Sequence, residues 1–188
     1  LPSTQVGALS STQMASLTVT QFAGFTTTQI VGLSTTQVTA LTETLFQSLA
    51  TTQMNGLTAT QIGGLNTAQV GRLTSTQIAA LTTSQFGGLE STDIAVLSAT
   101  QMAVFPATRI GILTTSQIGG LTSTQVRNFS TTQAGALTST QIGALTTAQV
   151  KGLEARDIAM LTAAVTGLTA TQINVLSTTR MAGLNTTQ

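Results

Sequence analysis

The chain contains no cysteine, histidine, tryptophan or tyrosine, and only two prolines. Without cysteine there are neither disulfides nor thiolate metal sites, and the redox compartment cannot be read from thiols. With histidine missing as well, the familiar catalytic triads and most transition-metal sites lack their bases and ligands. Charge is scarce: six Lys and Arg against five Asp and Glu leave a net charge of +1 over 188 residues. That balance sets up no field for phosphates or anionic lipid, so nucleic acid is not an expected partner. Long apolar runs are also missing, although the mean hydropathy is +0.34. Thr, Ser and Gln interrupt the large apolar residues every few positions, so membrane insertion is not expected. No constellation of residues points to a cofactor, and the expectation is a protein that is not an enzyme.

What remains is a repeat. The stretch LTSTQIGALTTAQVKGL, residues 137–153, says nearly the same thing twice in eight-residue steps, and the step runs through the whole chain. The first slot is Leu in 21 of 24 repeats, with Phe25, Phe105 and Phe129 as the exceptions. Slot two is Ser, Thr or Asn in 19 repeats and otherwise Pro2, Ala50, Glu90, Pro106 or Glu154. Slot four is mostly Thr, slot five mostly Gln, and slot six is Ile, Val, Met or Phe, with Ala134 as the weak case. Slots seven and eight hold all 17 glycines. The register breaks once, at residues 161–167, where one residue is missing together with the Gln slot, and a local kink is expected there. Residues 1–188 therefore read as a single uninterrupted octad array. It opens at Leu1 and stops at Gln188 five residues into a repeat, as a segment of a longer array would.

A continuous α-helix advances about 100° per residue, so equivalent slots would drift by about 80° per octad and no face could be buried. In a straight strand, slots one and six fall on opposite sides and neither side is cleanly apolar. A β-solenoid with glycine corners is the alternative fold, and Thr and Ile suit its strands. The reading that explains most slots is a capping box. A Ser or Thr followed three residues later by Gln satisfies first-turn amides reciprocally, and the flanking apolar residues form a hydrophobic staple. Thr74 with Gln77, Thr122 with Gln125 and Thr138 with Gln141 exemplify the boxes; Leu73 with Ile78, Leu121 with Val126 and Leu137 with Ile142 exemplify the staples. Pro2 and Pro106 at helix starts lose little, and Glu90 and Glu154 sit where a helix start favours negative charge.

Energetics require stacking. Fixing eight residues costs about 8–16 kcal/mol of backbone entropy, whereas burying two large side chains returns about 3–6. One octad cannot fold alone, and stability must come from many octads sharing a seam of slot-one and slot-six residues. The expected fold is an all-α repeat protein: a solenoid or superhelix of very short capped helical turns, one per eight-residue repeat. Thr, Ser and Gln side chains not used in caps should face solvent or bond between turns.

Glu90 with Asp93, and Glu154 with Asp157, are spaced for a carboxylate pair that could hold Ca²⁺ or act in acid-base chemistry. Helix-start charge, with Asp replacing the capping Gln, is the simpler reading and the one preferred. Arg109 and Arg180 in the Gln slot, and Arg156 beside Asp157, read as polar replacements or local ion pairs. Segments such as TVT at 18–20 and TST at 74–76 raise an ice-binding surface, which needs a flat β-solenoid. No catalytic, cofactor or metal site is expected.

Written as LTTAQVxxLTxTQIxAL, the repeat resembles the tandem octapeptide arrays of very large bacterial proteins that are secreted or displayed as adhesin-like stalks and filaments. The resemblance covers essentially the whole chain. It implies a structural role as an extracellular or cell-surface fibre that self-associates, with the cell surface or a substratum as a further partner. The competing class is a binding module with a Thr-array surface, either ice-binding or adhesive.

Overall fold

In a computed structural model the described residues are 2–184; Leu1 and residues 185–188, which close the final partial repeat, lie outside them. These residues form twenty-two short α-helices and one 3-10 helix, and no strand occurs among them. Each α-helix is 4–6 residues long, little more than one turn. The architecture is an all-α repeat solenoid. The alternative with glycine corners is thereby corrected, and no described glycine has a positive φ. The extended preference of Thr is used at one residue per octad. Thr74, at the N-cap, has φ −71° and ψ 156°, and the helix follows at Ser75–Ala80.

Outside residues 161–167 the octads are built largely alike. The slot-six amide closes on the slot-two carbonyl, as Ile78 N on Thr74 O at 2.9 Å, and the next Leu amide closes on slot six, as Leu81 N on Ile78 O at 3.3 Å. Leu81 then returns to extended backbone, φ −56° and ψ 133°. Six helical residues and two extended ones turn the chain through a corner every repeat. Helices this short have no stability of their own.

Residues fall into two compact units, Leu1–Leu89 and Glu90–Gln188. In the first, Ala59–Gly63 packs against Thr83–Gly87, the third helix after it, and in the second Thr115–Gly120 packs against Ser139–Ala144 in the same relation. The core of each unit is the seam of slots one and six. Val38, Ile62, Val70 and Ile78 are fully buried in the first, as are Ile110, Ile118, Val126 and Ile142 in the second.

The missing residue at 161–167 is absorbed by a change of winding. Leu161 keeps helical angles, φ −65° and ψ −16°, where other octads are extended, and Thr162–Gly167 forms the 3-10 helix. Thr162 carries φ 40°, the one positive φ among the described non-glycine residues. A β-branched residue there is strained, because its Cβ crowds the backbone. Thr162→Gly is expected to stabilise the chain by about 1 kcal/mol, the relief of strain exceeding the added chain entropy. A urea midpoint that moves down instead would show that the Thr side chain holds the segment.

Candidate functional site

The feature that organises the molecule is the slot-five glutamine. Gln77 closes the expected box: Thr74 Oγ1 accepts from Gln77 N at 3.1 Å, and Gln77 Oε1 accepts from Thr74 N at 2.9 Å. Thr122 with Gln125, at 3.1 and 2.7 Å, and Thr138 with Gln141, at 3.2 and 2.8 Å, are arranged alike. The staple residues Leu73, Ile78, Leu121, Val126, Leu137 and Ile142 are all buried.

Most of the buried glutamines have a second task. Gln77 Nε2 donates to the carbonyls of Phe46, Gln47 and Leu49 at 3.2, 3.1 and 2.9 Å, which lie 31, 30 and 28 residues earlier. Gln125 Nε2 reaches Ile94, Ala95 and Leu97, and Gln141 Nε2 reaches Ile110 and Leu113. These carbonyls stand at the C-terminal end of a helix in the preceding turn, where the last C=O groups lack intrahelical partners or, as Phe46 O does beside its bond from Leu49 N, accept a second bond. One amide thus satisfies the start of its own helix and the end of another, and the chain comes back over itself after between three and four octads. Gln69 is 1% exposed and makes both sets of bonds. After the missing residue, Gln172 Nε2 donates to Ile142 and Leu145, 30 and 27 residues back, so the stack continues one residue shorter.

Burial of the glutamine was not anticipated, yet the sequence held a signal. A capping box accepts Glu as readily as Gln, but no Glu occupies slot five anywhere in the chain. A carboxylate would cap the helix and then present an acceptor to carbonyl oxygens. The arginine replacements fit the same logic. Arg180 keeps the donor, its Nε giving to Leu153 O at 2.7 Å, 27 residues back. Arg109 follows Pro106, whose nitrogen has no hydrogen to be accepted, so the lost Oε1 is not needed. Partial burial lowers the Arg109 pKa from its ordinary value.

Asp93 and Asp157 keep only the capping half. Asp93 Oδ2 accepts from Glu90 N, and Asp157 Oδ2 from Glu154 N, each at 2.9 Å. The acidic pairs are therefore local to helix starts, and among the described residues no group of three or more His, Cys, Asp or Glu could hold a metal ion. Asp157 is fully buried, and its Oδ1 has no hydrogen-bond partner. Arg156 Nε stands 3.7 Å from that oxygen and 3.1 Å from Glu154. Desolvation raises the pKa of Asp157, opposed by the Glu154 amide and Arg156, and burial raises that of Asp93 likewise.

A raised folded-state pKa means that the native state binds the proton more tightly than the unfolded chain. Its contribution is therefore largest below the ordinary carboxylate pKa and declines as pH rises through the folded value. Asp157→Gln supplies an amide in place of the unpaired oxygen and is expected to stabilise by about 1–2 kcal/mol at pH 7. The gain should shrink as pH falls through the raised folded-state pKa and be smallest below the ordinary carboxylate value of about 3.9, where the native carboxyl is protonated. Denaturant melts at pH 7 and pH 3 test this, and an equal gain at both would refute the electrostatic cause.

A surface cleft of about 460 Å³ is lined by Glu154, Ala155, Arg156, Ser177, Thr179 and Arg180. Its two arginines are engaged, Arg156 by Glu154 and Arg180 by the Leu153 carbonyl. No described helix is long and apolar enough to cross a membrane. Arg72 and Glu43 pair at 2.9 Å on the surface, with more than a third of each side chain exposed. Such a pair is worth about 0–1 kcal/mol.

Residues 46–83 and 118–147 match the family model of the ALTTAQ repeat. In those stretches the chain is similar to that family. It is a tandem-repeat protein. The family's name itself stands in the chain at Ala144–Gln149, where Thr146 and Gln149 close a box at 3.2 and 2.6 Å. No curated protein and no solved structure matches the chain.

Proposed function

We propose that the chain is a structural, non-catalytic element of an extracellular fibre, filament or adhesin stalk, built by stacking octads and extended by self-association. The observation that carries this reading is that one stacking rule recurs within both units. The same donors, acceptors and apolar slots join each turn to the next, and the chain invests its side chains in that contact. The cell surface or a substratum is the attachment in this reading. An ice-binding surface is less well supported. The flat strand face it needs is absent among the described residues, and slot-two hydroxyls such as those of Thr18 and Thr74 are taken up by caps.

Because so few charges are present, assembly should be insensitive to salt. Sedimentation of the purified chain at 10 mM and 1 M salt is expected to give the same distribution of sizes. Assembly that dissolves or collapses across that range would count against stacking by neutral amides and apolar contacts.

A further inference from the structure

Along the second unit the slot-one carbonyls of one turn are met by donors of the next. Leu113 O accepts from Gln141 Nε2 at 2.8 Å, Leu121 O from Gln149 Nε2 at 2.5 Å, Leu145 O from Gln172 Nε2 at 2.6 Å and Leu153 O from Arg180 Nε at 2.7 Å. Leu137 departs from the pattern because it stands opposite the segment 161–167, which lacks the Gln slot. Phe129 departs for a different reason. The residue 28 positions on, the spacing of Gln141 to Leu113, is Asp157, a carboxylate where the array has an amide. No donor among the described residues reaches Phe129 O.

Asp157 Oδ2 takes the place of a glutamine Oε1 on the Glu154 amide, so Oδ1 is the branch that replaces Nε2. It is sunk between the turns: Asp157 is 0% exposed and Oδ1 has no hydrogen-bond partner. A Cβ built on Gly152 would stand 3.3 Å from Arg127 N, and Ala155–Met160 packs on Thr131–Gly135. Those contacts bring Asp157 over the stretch that holds Val126, Arg127 and Phe129. Gln149 Nε2 reaches the equivalent carbonyls, of Ile118, Gly119 and Leu121, at 2.8, 3.4 and 2.5 Å. An ionised carboxylate held beside carbonyl oxygens needs a positive charge or a donor among them. Arg156 serves Glu154 instead: its Nε is 3.1 Å from that carboxylate and 3.7 Å from Asp157 Oδ1, with the side chain 61% exposed.

We propose that Asp157 Oδ1 and the carbonyl oxygens of Val126, Arg127 and Phe129 bind a bare monovalent cation of sodium's size, which ties two turns together where a glutamine amide does so elsewhere. The donors are one carboxylate and backbone oxygens, not a cluster of acidic side chains. One carboxylate offsets a single positive charge, and carbonyls at interrupted helix ends are known ligands of Na⁺. Ca²⁺ takes about six to eight oxygens and Mg²⁺ retains its waters, neither of which a buried site with these donors provides. Aspartate is one methylene shorter than glutamine, about 1.5 Å, and the ion fills the space that the methylene leaves.

The test is a thermal melt of the 188-residue chain at about pH 8, where the carboxyl is ionised. It compares about 0.1 M NaCl with tetramethylammonium chloride at the same ionic strength, so that screening is equal. Tetramethylammonium is too large for a site between packed turns. The parent is expected to melt about 3 °C higher in NaCl and to gain a similar step for each tenfold rise in Na⁺. Asp157→Gln should melt at one temperature in both salts, because its amide replaces the ion. Asp157→Asn, which keeps the size and loses the charge, should lose the sodium response too. The gain argued above for Asp157→Gln is therefore expected in full in tetramethylammonium chloride and reduced in NaCl. Relaxation of ²³Na on the folded chains reads binding apart from stability, and it should be faster with the parent than with either variant. Equal parent melts in the two salts, with equal relaxation for parent and variants, overturn the site. A larger shift with CaCl₂ at that ionic strength overturns the assignment to a monovalent ion.

Discussion

Replacing Gln69 by Glu is expected to destabilise the first unit by about 3–5 kcal/mol at pH 7, the cost of leaving a buried charge without a partner. Gln69 Oε1 accepts from Asn66 N at 3.2 Å, and that bond survives the change. What is lost is Nε2, which donates to Val38, Thr39 and Leu41 at 3.1, 3.3 and 3.0 Å. A carboxylate oxygen in its place faces carbonyl oxygens at 1% exposure. The introduced carboxyl should therefore have a raised pKa in the folded state. The damage is smallest below about pH 4, where the group is protonated and can donate, and grows as pH rises. Urea melts from pH 3 to pH 8 read this directly. The same substitution at exposed Gln13 should leave stability within about 0.5 kcal/mol, since there only the cap is at stake. Equal losses at both positions would mean that the glutamine acts as a cap alone.

Two adjacent glycines give the second large effect, with opposite signs. A Cβ added at Gly120 would stand 2.7 Å from the carbonyl carbon and the Cα of Ser91, and closer still to the Ser91 oxygen. One added at Gly119 would meet nothing within 4 Å. Neither has a positive φ, so backbone freedom is not why glycine is there. Gly120→Ala must push two turns apart and is expected to cost about 2–3 kcal/mol. Gly119→Ala removes a flexible residue from the helix Thr115–Gly120 and should gain about 0.5–1 kcal/mol. Thermal melts of the two single variants decide the matter, and matching shifts would show that neighbouring turns are not in close contact at slot eight.

Much of the local structure was legible because it is governed by short-range rules. A hydroxyl at slot two and a glutamine three residues on specify a helix start whatever surrounds them, and the slots of Leu137 and Ile142 identify the seam. The return distance between turns was not legible. It depends on the angle added at each corner by residues such as Leu81, and an array of nearly identical octads carries no mark showing where a turn closes. Gln69 and Asp157 show the same limit at single positions. Their roles at the cap follow from spacing, whereas the three carbonyls that Gln69 reaches follow from a neighbour 28–31 residues away, and the Asp157 oxygen without a hydrogen-bond partner follows from burial. The absence of Glu at slot five was the one trace of that neighbour in the sequence.

The reach of the glutamine bonds also bears on how the chain acquires its structure. Among the interactions described, a glutamine never looks back more than 31 residues, as from Gln77 to Phe46. Contacts that are local relative to the length of a chain favour fast folding, because little loop entropy is spent before they form. A turn can therefore settle on its predecessor as soon as its own residues are available, in the order in which they are synthesised, with no strand waiting for a distant partner. An array built this way can be lengthened by further octads without making the folding of the earlier ones any slower.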